Sequence, residues 1–246
     1  DVVNSQKFLL PKPGSIVRAF YDQRSTRGSA GGLTLKEALG GFAIVSARGS
    51  RCVVVLALFP TLMMFPANPF EQNLTGAPAD GNGLNPLLQN YWMIIHPPCL
   101  YMGFVGCTVP FSFAVAALVT GRLDASEWIV AVRKWMLFAF LFLSVGNVLG
   151  MIWAYEELGW GGFWAWDPVE NAACLPWFTA AAYVHSTIIQ ERRNMFKIWN
   201  VSLICLTFTL TIFGTFLSRS GLIASVHSFA KSDIGSYFIV FLGIIV

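Results

Sequence analysis

The sequence predicts an all-α protein, a polytopic transmembrane bundle of about six spans with the last one truncated. Three observations carry this. Apolar residues make up 55% of the 246-residue chain and charged ones only 12%, against roughly 25% charged in ordinary soluble domains. Apolar runs close to the ~20 residues needed to cross a bilayer recur along it. The basic residues gather in alternate connecting segments instead of being spread evenly.

Taken in order, residues 1–43 hold Lys7, Lys12, Arg18, Arg24, Arg27 and Lys36 around the run Gly28-Ser-Ala-Gly-Gly32. This composition predicts a basic polar arm or connector. Residues 44–246 form the membrane domain, with spans expected at 44–66, 99–120, 135–155, 173–190, 198–217 and from 235 onward. Arg48 and Arg51 shorten the apolar part of the first to about fifteen residues. The last run stops after about a dozen residues, too few to span, which implies a continuation in this or another chain. The opening Asp1 in place of methionine likewise suggests a fragment or a split product.

Alternating sides through these spans places residues 67–98, 156–172 and 218–234 on one face, and 1–43, 121–134 and 191–197 on the other. The second face collects Arg122, Arg133, Lys134, Arg192, Arg193 and Lys197 in its short loops, while the first has Arg219 and Lys231. The positive-inside rule therefore turns the first face outward, to a periplasm, intermembrane space or lumen. Gly146 and Gly150, a G-x-x-x-G pair, and Thr207, Thr211 and Thr215 at four-residue spacing are expected at helix contacts. The formal charge is only +3 and no nucleic-acid motif accompanies it, so DNA and RNA are not expected partners. The five cysteines, Cys52, Cys99, Cys107, Cys174 and Cys205, make no C-x-x-C pair, zinc spacing or C-x-x-C-H attachment motif. Cys99 and Cys174 fall near the same end of the membrane, which leaves a disulfide open.

The densest chemistry lies on the outer face, in Trp160-Gly161-Gly162-Phe163-Trp164-Ala165-Trp166-Asp167-Pro168, with Trp177 just beyond. Three indoles and a phenyl ring are costly to expose, and the paired glycines break a helix. Aromatic faces stack on a large flat ring, glycines let the backbone approach it, and indole N–H groups and a carboxylate orient it. Porphyrin fits that description. The plain alternative is an aromatic belt at the membrane interface; the density of rings and the Asp-Pro ending favour a ligand.

Topology sorts the three histidines. His96, just before Pro97-Pro98 and the second span, and His227 fall on the outer face on either side of the loop. The proline pair stiffens the backbone beside His96. Neutral imidazole is a normal axial ligand of haem iron, and two would make a six-coordinate site; the alternative is a pair of interfacial histidines satisfied by water. His185 lies inside a span, about 12 Å along the helix from Trp177. A polar ring at that depth marks either a functional site or a bond to a neighbouring helix, and Ala181 and Ala182 leave room beside it for a flat group. Arg219 is a candidate partner for a propionate, or an interface anchor.

The run Trp166-Asp-Pro-Val-Glu-Asn171, preceded by Glu157-Leu-Gly-Trp-Gly-Gly162, resembles the WWD signature of the haem-handling membrane proteins of cytochrome c biogenesis. Within that group it most resembles the CcmF haem lyases, in the separately encoded N-terminal half found in plant mitochondria. Gly83 to Pro98, Thr120 to Asp124 and Gly214 to Ser220 match as well, so the likeness covers about residues 52–246; the family's upstream and later spans are missing. The resemblance implies that a WWD loop at 156–177 holds haem, with Trp160, Gly161, Gly162, Phe163, Trp164, Trp166, Asp167 and Trp177 as its candidate contacts, while Arg219, on the same outer face, is the candidate for a propionate. It implies that His96 and His227 ligate the iron, and that His185 is one ligand of a separate intramembrane haem b.

The implied activity is that of a haem lyase, active in complex with partner subunits. His96, His227, Trp160, Trp164, Trp166 and Asp167 would promote thioether attachment of haem to apocytochrome c. Implied partners are the remaining CcmF subunits, which supply the missing spans and a second intramembrane histidine, and the haem chaperone CcmE. The implied location is the mitochondrial inner membrane with the loop in the intermembrane space, or a bacterial inner membrane with a periplasmic loop. A rival class is a membrane haem carrier that delivers haem without attaching it, in which His185 has no task. An electron-transfer cytochrome b subunit is a third, and lacks the usual paired intramembrane histidines.

Overall fold

The computed structural model describes residues 60–65, 68, 80, 83–121, 123, 126–227 and 234–245, all of them within the unit Phe42–Val246. Among the described residues every regular element is helical. A 3-10 turn, Pro86–Leu88, precedes α1 (Tyr91–Gly106), α2 (Thr108–Thr120), α3 (Ser126–Glu157), α4 (Pro168–Arg193), α5 (Lys197–Ser220) and α6 (Gly235–Ile245). Among the described residues four stretches are long and apolar enough to cross a membrane, namely Tyr91–Thr120, Trp128–Glu157, α4 and α5. The chain is an integral membrane protein. The short apolar α6 stands where the truncated last span was expected. The expected arm, residues 1–43, lies outside the described residues. So does the expected first span, 44–66, apart from its end, where residues 60–64 are helical.

One boundary is displaced in a way that matters. The helix expected from residue 99 begins at Tyr91, where the Asn90 side chain accepts the Trp92 N–H (2.8 Å). It then runs through Pro97 and Pro98. Two prolines inside a helix remove two N–H donors, and this is tolerated in a membrane span where neighbouring helices support the backbone. Here α3 does so. A Cβ on Gly103 would meet Leu143 at 2.8 Å, one on Gly106 would meet Ala139 at 3.2 Å, and one on Gly146 would meet the Leu100 backbone at 2.9 Å. The missing N–H of Pro110 coincides with the interruption at Cys107, whose N–H bonds back to the Gly103 and Phe104 carbonyls.

The helix α4 likewise starts inside the segment expected to be loop. Asp167 caps it, Pro168 takes the first position, and Glu170 closes a reciprocal capping box. The irregular loop is therefore confined to residues 158–167, and Trp177 belongs to a helix. On α5, Thr207 meets the expectation of a helix contact, its hydroxyl donating to Thr179 of α4 (2.8 Å) or to the Leu203 carbonyl (2.6 Å). Thr211 and Thr215 instead bond to carbonyls of their own helix. Gly214 lets α5 rest on the Ala172 carbonyl. Farther along, Asn200 joins Gln190 (2.5 Å) and Ser186 in a buried polar knot between α4 and α5. The stacked rings of Phe111 and Phe208 (4.2 Å) join α2 to α5.

Candidate functional site

At one end of the bundle meet the start of α1, the end of α3, the loop 158–167 and the segment 221–227 after α5. The Asn90 amide donates to Glu156 (3.0 Å) and Glu157 (2.8 Å), and the Trp92 indole donates to Glu156 (2.9 Å). The Trp153 indole reaches the Leu87 carbonyl (2.9 Å). These bonds lock the entry of α1 to the exit of α3 and so set the frame for the loop that follows.

Within the loop, Phe163 stacks on Tyr155 (4.4 Å, 14° between planes). The Trp160 indole N–H is taken by the Gly162 carbonyl (2.8 Å), so this tryptophan folds the loop on itself. Gly161 has φ +73°, a conformation that a side chain would strain. Trp164 and Trp166 stand edge to face, 6.2 Å apart at 85°. The Trp166 ring is 76% exposed, and its backbone lies in the left-handed region at φ +60°, an outlier for so bulky a residue.

Asp167 is the junction. Its Oδ2 accepts the Val169 N–H (3.0 Å), the Ser225 hydroxyl (2.6 Å) and Nδ1 of His227 (3.0 Å). The carboxylate is 9% exposed and the imidazole 15%. The His227 ring also leans on Trp153 (5.3 Å). One carboxylate thus starts α4, ends the Trp-rich loop and orients a histidine sixty positions later.

His96 is not in a loop before a span, as expected, but in the second turn of α1. Its Nδ1 donates to the Gly146 carbonyl (2.7 Å). The ring packs directly against Gly150, where a Cβ would meet Cε1 at 2.6 Å and Nδ1 at 2.9 Å. It is close enough to His227 for the two imidazoles to interact electrostatically. A carbonyl can only accept, so Nδ1 of His96 carries a proton, and in the neutral ring Nε2 then keeps the lone pair; the Asp167 carboxylate likewise takes its bond from an Nδ1–H of His227. This is the arrangement of an imidazole prepared to ligate metal, with the second nitrogen held by an oxygen. Two such imidazoles at the end of the bundle that carries half-buried Trp164 and exposed Trp166 fit an iron porphyrin.

Two other expected site residues, Trp177 and His185, stand apart from this group. Trp177 is held between α3 and α4, its indole donating to Ser144 (2.7 Å) and its ring stacked on Phe140 (5.4 Å). His185 is exposed on α4, and its Nδ1 bonds to the Ala181 carbonyl of its own helix (2.7 Å), not to a neighbouring helix. Arg219 is exposed in the last turn of α5, where a cation suits the helix end. Cys99 and Cys174 are both free thiols.

The family described as Cytochrome C assembly protein matches residues 34–223. The chain belongs to that family. CcmF of Pseudomonas aeruginosa, a cytochrome c-type biogenesis protein, is 48% identical over 202 residues, covering 80% of this chain and 31% of that protein. The cytochrome c-type biogenesis protein ccl1 of Rhodobacter capsulatus is 51% identical over 184 residues, 75% of this chain and 28% of that one. CcmF of Escherichia coli is 49% identical over 181 residues, with 74% and 28% covered. A solved structure of the cytochrome c heme lyase CcmF matches 94% of this chain and 40% of its own, with a TM-score of 0.61 at 30% identity. The resemblance carried by the Trp-rich motif is thus borne out, and the chain spans less than a third of the length of the curated relatives it matches.

Four residues outside the expected set now belong to the site. Glu170 was legible as the fourth residue of an Asp-x-x-Glu capping box. Gly150 was legible only as a small residue at a helix contact. Ser225 and Trp153 left no local signal, because each acts through a partner more than fifty positions away.

Proposed function

We propose that this chain is a haem-binding subunit of a cytochrome c haem lyase. The observation that carries the proposal is the common orientation of His96 and His227. Each Nδ1 is tied to an oxygen, Gly146 O or Asp167 Oδ2, which leaves the Nε2 side of each ring to take a metal. In this reading haem is the substrate. It brings vinyl groups, across each of which a thiol of an apocytochrome C-x-x-C-H segment adds, sulfur to one carbon and hydrogen to the other, to give a thioether.

The residues of this chain contribute position. His96 and His227 hold the metal, while Trp160, Gly161, Gly162, Phe163, Trp164 and Trp166 offer the ring a flat, partly dry face. Asp167 keeps His227 in register, and Arg219 sits at the same end of the bundle for a propionate. Fixing the ring in one pose lowers the entropic cost of the addition and excludes attachment in the wrong orientation.

His185 would ligate a separate haem b. Its exposure on α4, with Nε2 free, supports a partner chain that brings the second histidine. The basic residues Arg192, Arg193 and Lys197 at the opposite end support an outward-facing loop, in the intermembrane space of a mitochondrion or the periplasm of a bacterium. Residues 1–43 would form an arm on the inner side. CcmE as haem donor, apocytochrome c as acceptor and the missing CcmF segments complete the assembly.

The test is haem content, reduced-minus-oxidised spectra and thioether formation in the complex isolated from its native membrane, comparing wild type with His96→Ala and His227→Ala. Loss of thioether formation in both is expected. Normal cytochrome c assembly in both variants would overturn the proposal. Lost haem delivery with attachment chemistry intact would point to a carrier.

A further inference from the structure

We infer that Asn171 and Glu170 are positioning residues for the ring-binding face of the loop, holding the Trp166–Asp167 peptide in the one orientation that presents the Trp166 indole. The inference rests on the haem-binding reading of the loop. Its starting point is strain. A tryptophan at φ +60° persists only where its surroundings over-determine it, and a ring that is 76% exposed does little of that through its own packing.

The backbone bonds supply the constraint. The Trp166 carbonyl accepts from Nδ2 of Asn171 (3.1 Å), and the Asp167 N–H donates to Oε2 of Glu170 (3.2 Å). These two groups are the two ends of a single peptide unit, so it is gripped at both and cannot flip without releasing both. The same Glu170 oxygen accepts the Ala165 N–H (3.1 Å), which pins the residue before Trp166 as well. Glu170 is buried and holds its place as part of the α4 cap.

The consequence reaches beyond the cap. The peptide that sets the direction of the Trp166 ring also begins Asp167, whose carboxylate orients His227. The gripped peptide thus joins the ring platform to the residue that orients the iron ligand, whose carboxylate is held in addition by the Val169 N–H and the Ser225 hydroxyl. Helix capping alone accounts for Glu170 but not for Asn171, whose amide donates outside the helix to a carbonyl the capping box does not involve.

The test compares Asn171→Ala and Asn171→Asp, the second of similar shape but without the amide donor, with wild type in the isolated complex. Loss of one hydrogen bond predicts haem affinity lowered on the order of fivefold in both. The low-spin iron signature should be kept, because His96, His227 and Asp167 are untouched. Hydrogen exchange at the Asp167 amide should quicken in both, with or without haem, while the melting temperature stays put. Unchanged exchange and unchanged affinity would overturn the inference, as would a fall in melting temperature with affinity intact, which is the mark of a cap and nothing more. Faster exchange in a complex whose wild type takes up no haem would leave the grip standing and remove the haem reading instead.

Discussion

Replacing Gly150 by alanine should disable His96 while leaving the histidine itself in place. A Cβ at that position would lie 2.6 Å from Cε1, 2.9 Å from Nδ1 and 3.2 Å from Nε2 of the His96 ring. Carbon atoms pack at about 3.5–4.0 Å, so the ring must retreat by about 1 Å. It is a rigid plate, and retreat stretches its 2.7 Å bond to the Gly146 carbonyl to about 3.5 Å or more, beyond useful range.

Two effects compete. Helix propensity favours alanine over glycine by about 1 kcal/mol. Crowding a packed contact costs about 1–3 kcal/mol, and the lost hydrogen bond about 1 kcal/mol more. Crowding wins, with a net loss of about 1–3 kcal/mol. The effect on the ligand is larger, because removing the partner that orients a ligating imidazole typically lowers metal affinity about 10–100-fold. Haem titration of the isolated complex, followed by its low-spin absorbance, reads this directly. A Gly150→Ala protein that binds haem with wild-type affinity and spectrum would refute the reasoning, since the geometry leaves no room for both the methyl group and the ring.

Asp167→Asn keeps a side-chain acceptor for the Val169 N–H, so α4 should remain capped to within about 1 kcal/mol, while the loss of charge opposite His227 lowers haem affinity about 10–100-fold; titration and thermal melting separate the two. Trp166→Gly relieves the left-handed backbone and should raise stability by about 1 kcal/mol while weakening haem binding, and a fall in melting temperature would show that the indole packs more than its exposure implies. Thr207→Val removes the hydroxyl that reaches Thr179 across α4 and α5 and should cost about 0.6–1 kcal/mol without altering haem content; a change in haem content would give Thr207 a role beyond packing.

The spans were legible because the property that makes them, about 20 apolar residues in a row, is written locally. Among the described residues four of the expected six appear as long apolar stretches, with boundaries displaced by a few residues at most ends. The displaced start of α1 had a definite cause. Proline-based punctuation assumes that a freed carbonyl and a crowded turn end the helix, whereas here α3 packs along the prolines and the helix continues. The capping of α4 by Asp167, Pro168 and Glu170 was written locally as well, within four residues, and it starts the helix five residues before the apolar run that begins at 173.

By itself the sequence determined what is carried by neighbours along the chain: the membrane class, the helices, the Trp-rich loop and the family likeness in its motifs. Only the tertiary structure decided which of those residues share a site. His227 meets Asp167 across sixty positions, His96 meets Gly146 across fifty, and Trp177, adjacent to the motif in sequence, turns away to Ser144 on another helix. The physical reason is that hydropathy and capping act over a turn or a span. The direction of an imidazole is set instead by whichever carbonyl, carboxylate or glycine the packing of separate helices places against it.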